Sequence, residues 1–96
     1  MKHILTADNQ IVNVNNIAVI NVYEVNKTGR TRLYIDAFGS FDKGANNKVC
    51  LGTITNIRTL EEAREIKENV MYDISTALTE EKMVNIAGII EEYKQD

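Results

Sequence analysis

The 96-residue sequence has no proline, no tryptophan, one cysteine and one histidine. A single cysteine, Cys50, excludes an intramolecular disulfide and suits a reducing cytoplasm. The lone histidine, His3, would need to stand beside Ser40, Ser75 or Cys50 to form a catalytic dyad. Nothing in the spacing brings them together, and a terminal histidine reads as an exposed bystander. A metal site needs several His, Cys or carboxylate ligands converging. Asp36 and Asp42 are too few for one, and Glu61, Glu62, Glu65 and Glu68 are accounted for by helix solvation and capping. The stretch from Gly39 to Gly44 is not followed by the lysine-serine of a phosphate-binding loop. No segment approaches the ~20 apolar residues of a membrane span, and the N-terminus lacks the charged-then-apolar pattern of a signal peptide. These absences lead to the expectation of a cytoplasmic, non-enzymatic chain with no cofactor, no metal and no membrane partner.

What is present is enough apolar residue for a core. The hydrophobic fraction is 44%, and a chain of this length makes one domain. That domain is expected to span 1–96, with an antiparallel sheet over 1–58 and a helical part over 59–96. Net charge is -3, too acidic overall for a protein that coats nucleic acid. The charge is unevenly placed. Residues 1–59 carry seven Lys/Arg against four Asp/Glu, and residues 60–96 carry four against ten. Glutamates solvating helices explain most of this asymmetry.

The stretch Ile17 to Phe38 organises the chain. It alternates as two strands joined at Asn26-Lys27-Thr28-Gly29. Ala18, Ile20 and Val22 share one face of the first strand; Val19, Asn21, Tyr23 and Val25 share the other. In the second strand Leu33, Ile35 and Ala37 oppose Arg30, Arg32, Tyr34 and Asp36. A four-residue loop would set Val22 opposite Leu33, Ile20 opposite Ile35 and Ala18 opposite Ala37, with Tyr23 against Arg32. A one-residue slip would put Leu33 and Ile35 in water, so the parity is well specified. Gly29 suits a turn position of positive φ.

Before the hairpin, Met1 to Leu5 and Ile11 to Val14 read as short strands around an Asp-Asn turn. Close-set short strands imply an antiparallel meander. After it, Gly39 to Asn47 reads as a loop carrying Phe41 and Lys43. Lys48 to Ile54 is a further strand, with Cys50 read as a small buried hydrophobe. Gly52 there suggests a bulge or a close backbone approach.

Thr59-Leu60-Glu61-Glu62 is a capping box that starts a helix, with its glutamates at the positive end of the dipole. Ala63, Ile66, Val70, Ile74 and Ala77 recur at helical spacing, widened by Met71 and Leu78. The stripe loses phase near Thr79. Thr79 is a candidate second N-cap, with Leu78 and Met83 as a hydrophobic staple. Two helices, about 60–77 and 80–94, follow; one long bent helix is the alternative. In the second, Met83, Val84, Ile86, Ala87, Ile89, Ile90 and Tyr93 cover more than half the wheel. So wide an apolar arc is either buried or shared with a partner.

Ile11 to Ile17 with the long strand after it, and Leu51-Gly52 followed by Thr59, Glu61-Glu62-Ala63 and Glu65-Ile66, resemble small proteins of Gram-positive bacteria and their prophages. The resemblance covers about residues 1–78 and implies a pleckstrin-homology-like fold. In that fold a strongly bent antiparallel sheet, a half-barrel, is closed by a C-terminal helix. The fold class expected is thus α+β, a bent antiparallel sheet packed by two C-terminal helices. The segment 80–94 and the loop 39–47 depart from the family pattern. The resemblance brings no activity with it.

Two functions are expected from these residues. The first is a protein-protein interaction module that self-associates as a homodimer or docks a protein through Met83, Ile86, Ile89, Ile90 and Tyr93. One concrete form, which the resemblance suggests, is a phage or mobile-element protein whose acidic half imitates phosphate towards a host protein. The second is weak single-stranded nucleic-acid binding by Tyr23, Lys27, Arg30, Arg32 and Tyr34, by stacking and phosphate contact. An ordinary wet sheet face with cross-strand Tyr-Arg packing accounts for the same five residues.

Overall fold

The computed structural model describes residues 2–40, 47–80 and 83–95. The expected loop residues Phe41 and Lys43, and Asp42 with them, lie outside the described residues. The elements run β1 (His3–Leu5), β2 (Ile11–Asn13), a 3-10 turn (Val14–Asn16), β3 (Ile17–Lys27), β4 (Arg30–Gly39), β5 (Lys48–Ile57), α1 (Leu60–Glu80), β6 (Met83–Asn85) and α2 (Ile86–Glu92). The class is α+β, with a bent three-stranded antiparallel sheet, a second sheet and two helices.

The main sheet has the order β3-β4-β5. Its hairpin has the expected parity but not the expected register. Val22 pairs with Ile35, Ile20 with Ala37 and Tyr23 with Tyr34. The loop is two residues long, because Lys27 already pairs with Arg30. Thr28 and Gly29 both have positive φ, at 50° and 76°, the conformation that tight two-residue hairpins require. The pairing is displaced from the expected one by two residues, an even number. From Val19 to Phe38 every paired side chain therefore keeps its face, whereas Ala18, expected opposite Ala37, is left unpaired. Val22, Leu33, Ile35 and Ala37 are all buried.

Three register shifts interrupt the sheet, one between β3 and β4 and two between β4 and β5, of which one lies between Thr31 and Leu33. Ala18 is left over between the pairs Ile17–Gly39 and Val19–Phe38. On the other side, Ile35 pairs with Gly52 and Asp36 with Cys50, leaving Leu51 as an extra residue. An extra residue on one strand kinks it and tightens the local twist.

Helix α1 crosses the inner face of this sheet. Its start is capped as expected, with the Glu62 amide donating to Thr59 Oγ1 at 3.1 Å. Ala63, Val70 and Ile74 are buried, with Ile66, Ala77 and Leu78 packed against them. The helix runs unbroken to Glu80, so it is ~32 Å long at about 1.5 Å per residue. Thr79 is therefore not an N-cap. Its hydroxyl donates backward to the Ser75 carbonyl at 2.9 Å, a bond available only inside a helix.

The segment after it corrects the expected helix 80–94. Met83–Asn85 is a strand, and after it the helix spans Ile86–Glu92. Strand β6 pairs in parallel with β1, Val84 against Ile4, while β2 pairs antiparallel on the other side of β1. The N-terminal strands therefore form a separate β2-β1-β6 sheet, not the start of a meander. Asn85 caps α2, accepting the Gly88 amide at 3.1 Å. Ile4, Val12, Val84 and Ile86 join the same buried cluster as β3, β4, β5 and α1.

Gly52 fixes how α2 sits. A Cβ there would lie 2.2 Å from Ile90 Cδ1, 3.1 Å from Ile86 Cγ2 and 3.3 Å from Ala7 Cβ. Both expected roles meet at this glycine: it adjoins the bulge, and α2 lies directly on its backbone. Ala7 donates to the Leu51 carbonyl at 2.8 Å, closing the outer edge of β5 at that point.

Candidate functional site

Three surfaces compete, and the first is the C-terminal arc. Its residues are largely spent on the fold. Ile86 is fully buried, and Ile89, Ile90 and Tyr93 are half-buried against the core. Tyr93 is further tied to α1, its hydroxyl donating to Asp73 Oδ2 at 2.6 Å. That bond, made to a carboxylate, pushes the Tyr93 phenol up to about 12. The wide apolar arc arises because one stretch is half strand and half helix, each burying its own side. Met83 alone among the five stays exposed, at 42%. It lines a groove of about 370 Å³ between α1 and α2, with Tyr72, Ala77 and Ile89.

The second surface is the outer face of the β3-β4 hairpin. Tyr23, Arg30, Arg32 and Tyr34 do share it, with Lys27 paired to Arg30 at the turn. The register displacement changes their partners, so Tyr23 faces Tyr34 and Arg32 faces Val25. The two rings stack on each other, with centroids 5.5 Å apart and 24° between planes. One face of each ring is thereby already covered. The Tyr23 hydroxyl donates to Asp36 Oδ2 at 2.7 Å, and this bond pushes its phenol up to about 12. Asp36 is 2% exposed, so a carboxylate lies beneath the aromatic pair. Cys50, paired with Asp36, is exposed on this face and not buried as expected. Among the described residues no group of three or more His, Cys, Asp or Glu could hold a metal, and no helix is long and apolar enough to cross a membrane.

The third surface was not singled out from the sequence. Strand β3 is at the end of its sheet, and among the described residues its outward backbone edge pairs with no strand. Beside this edge, on the inner side, lies an apolar groove of about 300 Å³. Its walls are Ile20 and Val22 of β3 and Met71, Ile74, Ser75 and Leu78 of α1. Met71, expected in the core stripe, is 49% exposed at its rim. On the outer side of the same edge, Val19 is 55% and Phe38 38% exposed, and the two are cross-strand partners. At the far end, Lys67 pairs with Glu24 at 3.4 Å. The Glu24 carboxyl is held below its usual range by its own backbone amide, and secondarily by Lys67.

An unpaired edge with apolar side chains on both sides is the geometry into which an extended strand adds. Backbone bonds then supply affinity, and alternate side chains enter the groove. The sequence signal was the run Ile17-Ala18-Val19-Ile20-Asn21-Val22-Tyr23, which is apolar on both faces and uncharged. Such a run usually marks a strand covered on both sides.

Comparison of the chain with protein-family models, with curated proteins and with solved structures finds no match in any of the three.

Proposed function

We propose that the chain is a non-enzymatic protein-protein interaction module that accepts an extended strand along the edge of β3. The observation that carries the reading is the open β3 edge flanked by the Ile20–Met71–Leu78 groove on one side and by Val19 and Phe38 on the other. Exposed apolar residues gathered along one unpaired backbone edge are what strand addition needs and what a monomer ordinarily avoids. The module's docking surface thereby moves from the C-terminal helix to the hairpin edge, since Ile86, Ile89, Ile90 and Tyr93 serve the core. The pleckstrin-homology-like relationship and a phage origin belong to the same proposal and rest on the resemblance alone. On that view a host protein is one possible source of the added strand. Single-stranded nucleic-acid binding has less support, because Tyr23 and Tyr34 stack on each other above Asp36.

A labelled peptide copying Ile17 to Tyr23, flanked by lysines for solubility, tests the reading by fluorescence anisotropy. Saturable binding is expected, abolished by Val19→Lys and by Met71→Lys and kept in Met83→Lys. No binding at concentrations where the wild-type chain is monomeric by light scattering, or equal binding by all three variants, refutes strand addition at this edge. Loss in Met83→Lys alone would transfer the site to the α1–α2 groove.

A further inference from the structure

We infer that the strand added to β3 is the β3 of a second copy, making a two-fold symmetric dimer in which two three-stranded sheets become one. The inference rests on the strand-addition reading and names its occupant. Three features select a second copy.

The first is pattern. The occupant has to be apolar on both faces, to meet Val19 and Phe38 on one side and the Ile20–Met71–Leu78 groove on the other. Strand β3 meets this requirement itself, with Val19 and Tyr23 outward and Ile20 and Val22 inward. A two-fold axis normal to the sheet keeps equivalent faces together. The half-buried Ile20 of each copy then meets the groove of the other. Both α1 helices come to lie on one face, with Met71 of each at the seam.

The second feature is charge. Residues 17–23 contain no charged side chain and no proline. Antiparallel pairing centred on Asn21 sets each Glu24 opposite Ala18 of the second copy. Each Lys27 falls opposite Asn15, so no like charges meet. The devices that normally guard an edge are a bulge, a charge or a proline. Here the bulge at Ala18 and the charges Glu24 and Lys27 stand at the two ends, and Val19 to Tyr23 between them is unguarded.

The third feature is closure. At the opposite end of the sheet, on β5, the Leu51 carbonyl accepts from the Ala7 amide. A two-fold contact uses the same β3 edge of both copies, so antiparallel pairing at that edge ends at two copies and does not propagate into a filament.

Light scattering on the full chain across a dilution series, at low and high salt, is the test. The expected mass is twice 10.9 kDa and insensitive to salt, because the contact is apolar. Val19→Lys and Met71→Lys change exposed side chains and are expected to keep the circular dichroism spectrum. Each should give 10.9 kDa at concentrations where the wild type is dimeric, and Met83→Lys should stay dimeric. A wild-type chain of 10.9 kDa throughout, or a dimer that survives both lysine variants, overturns the inference. The peptide assay separates the two failures. A monomer that binds the peptide retains strand addition and loses self-pairing, whereas a monomer that does not bind it loses both.

Discussion

Gly52→Ala adds a single methyl group at the point where α2 meets β5. The new Cβ would stand 2.2 Å from Ile90 Cδ1 and 3.1 Å from Ile86 Cγ2, where ordinary carbon contacts are about 3.5–4.0 Å. Ile90 is half-buried, and its terminal carbon can rotate away. Ile86 is fully buried among core residues and cannot retreat without moving α2. Overpacking of this kind costs about 1–3 kcal/mol. Set against it is the reduced freedom of the unfolded chain when alanine replaces glycine, about 0.4–1 kcal/mol. No left-handed backbone is at stake, since Gly29 is the glycine of positive φ among the described residues. The net expectation is a loss of about 1–2 kcal/mol, read as a lower urea midpoint with unchanged slope by circular dichroism. Ile90→Val supplies the check. Alone it should cost about 0.5–1.5 kcal/mol as an ordinary core truncation. On the Gly52→Ala background it removes the clashing carbon and should cost nothing or restore stability, a coupling that a double-mutant cycle measures. If Gly52→Ala is as stable as the wild type, or if the two changes add independently, α2 does not lie on Gly52 as described.

Ile86→Ala should destabilise by about 2–5 kcal/mol because the side chain is fully buried, whereas Met83→Ala, half in solvent, should cost less than about 1 kcal/mol; urea melts of the pair decide whether the C-terminal segment serves the core. Thr59→Ala removes the acceptor of the Glu62 amide and should cost about 1 kcal/mol by the same measurement. Tyr93 has a folded pKa of about 12 against an ordinary 10. Its bond to Asp73 therefore contributes in full below pH 10 and is lost as pH rises through 12. Tyr93→Phe should lower stability at neutral pH by about 1 kcal/mol and flatten the alkaline limb of the stability curve. The ultraviolet titration should lose one tyrosinate step near pH 12, leaving the late step of Tyr23.

The local readings that held depend on short-range physics. Alternation assigned the faces of Val22, Leu33, Ile35 and Ala37, because a strand offers only two sides. Thr59 and Glu62 marked the start of α1, because the cap is a bond between residues three apart. What failed was either invisible to alternation or decided across distance. The hairpin slid by two residues because the Thr28-Gly29 turn closes tighter than a four-residue loop, and parity cannot distinguish registers that differ by two. The run Met83 to Tyr93 looked like one helix apolar nearly all round. A strand joining β1 and a short helix seated on Gly52 have different periods, and on one helical wheel their buried sides add into a false arc. Pairing of Val84 with Ile4 joins residues far apart in the chain, so nothing nearby in the sequence announces it. The open edge of β3 was equally hidden. Composition and alternation determine that Ile17 to Tyr23 is a strand with two apolar faces, but only the sheet order decides that no strand among the described residues pairs beyond it. The class of the fold and the faces of its main hairpin were therefore written in the sequence by itself; register, strand order and the surface left uncovered were decided by the tertiary structure, where distant segments compete for the same edges.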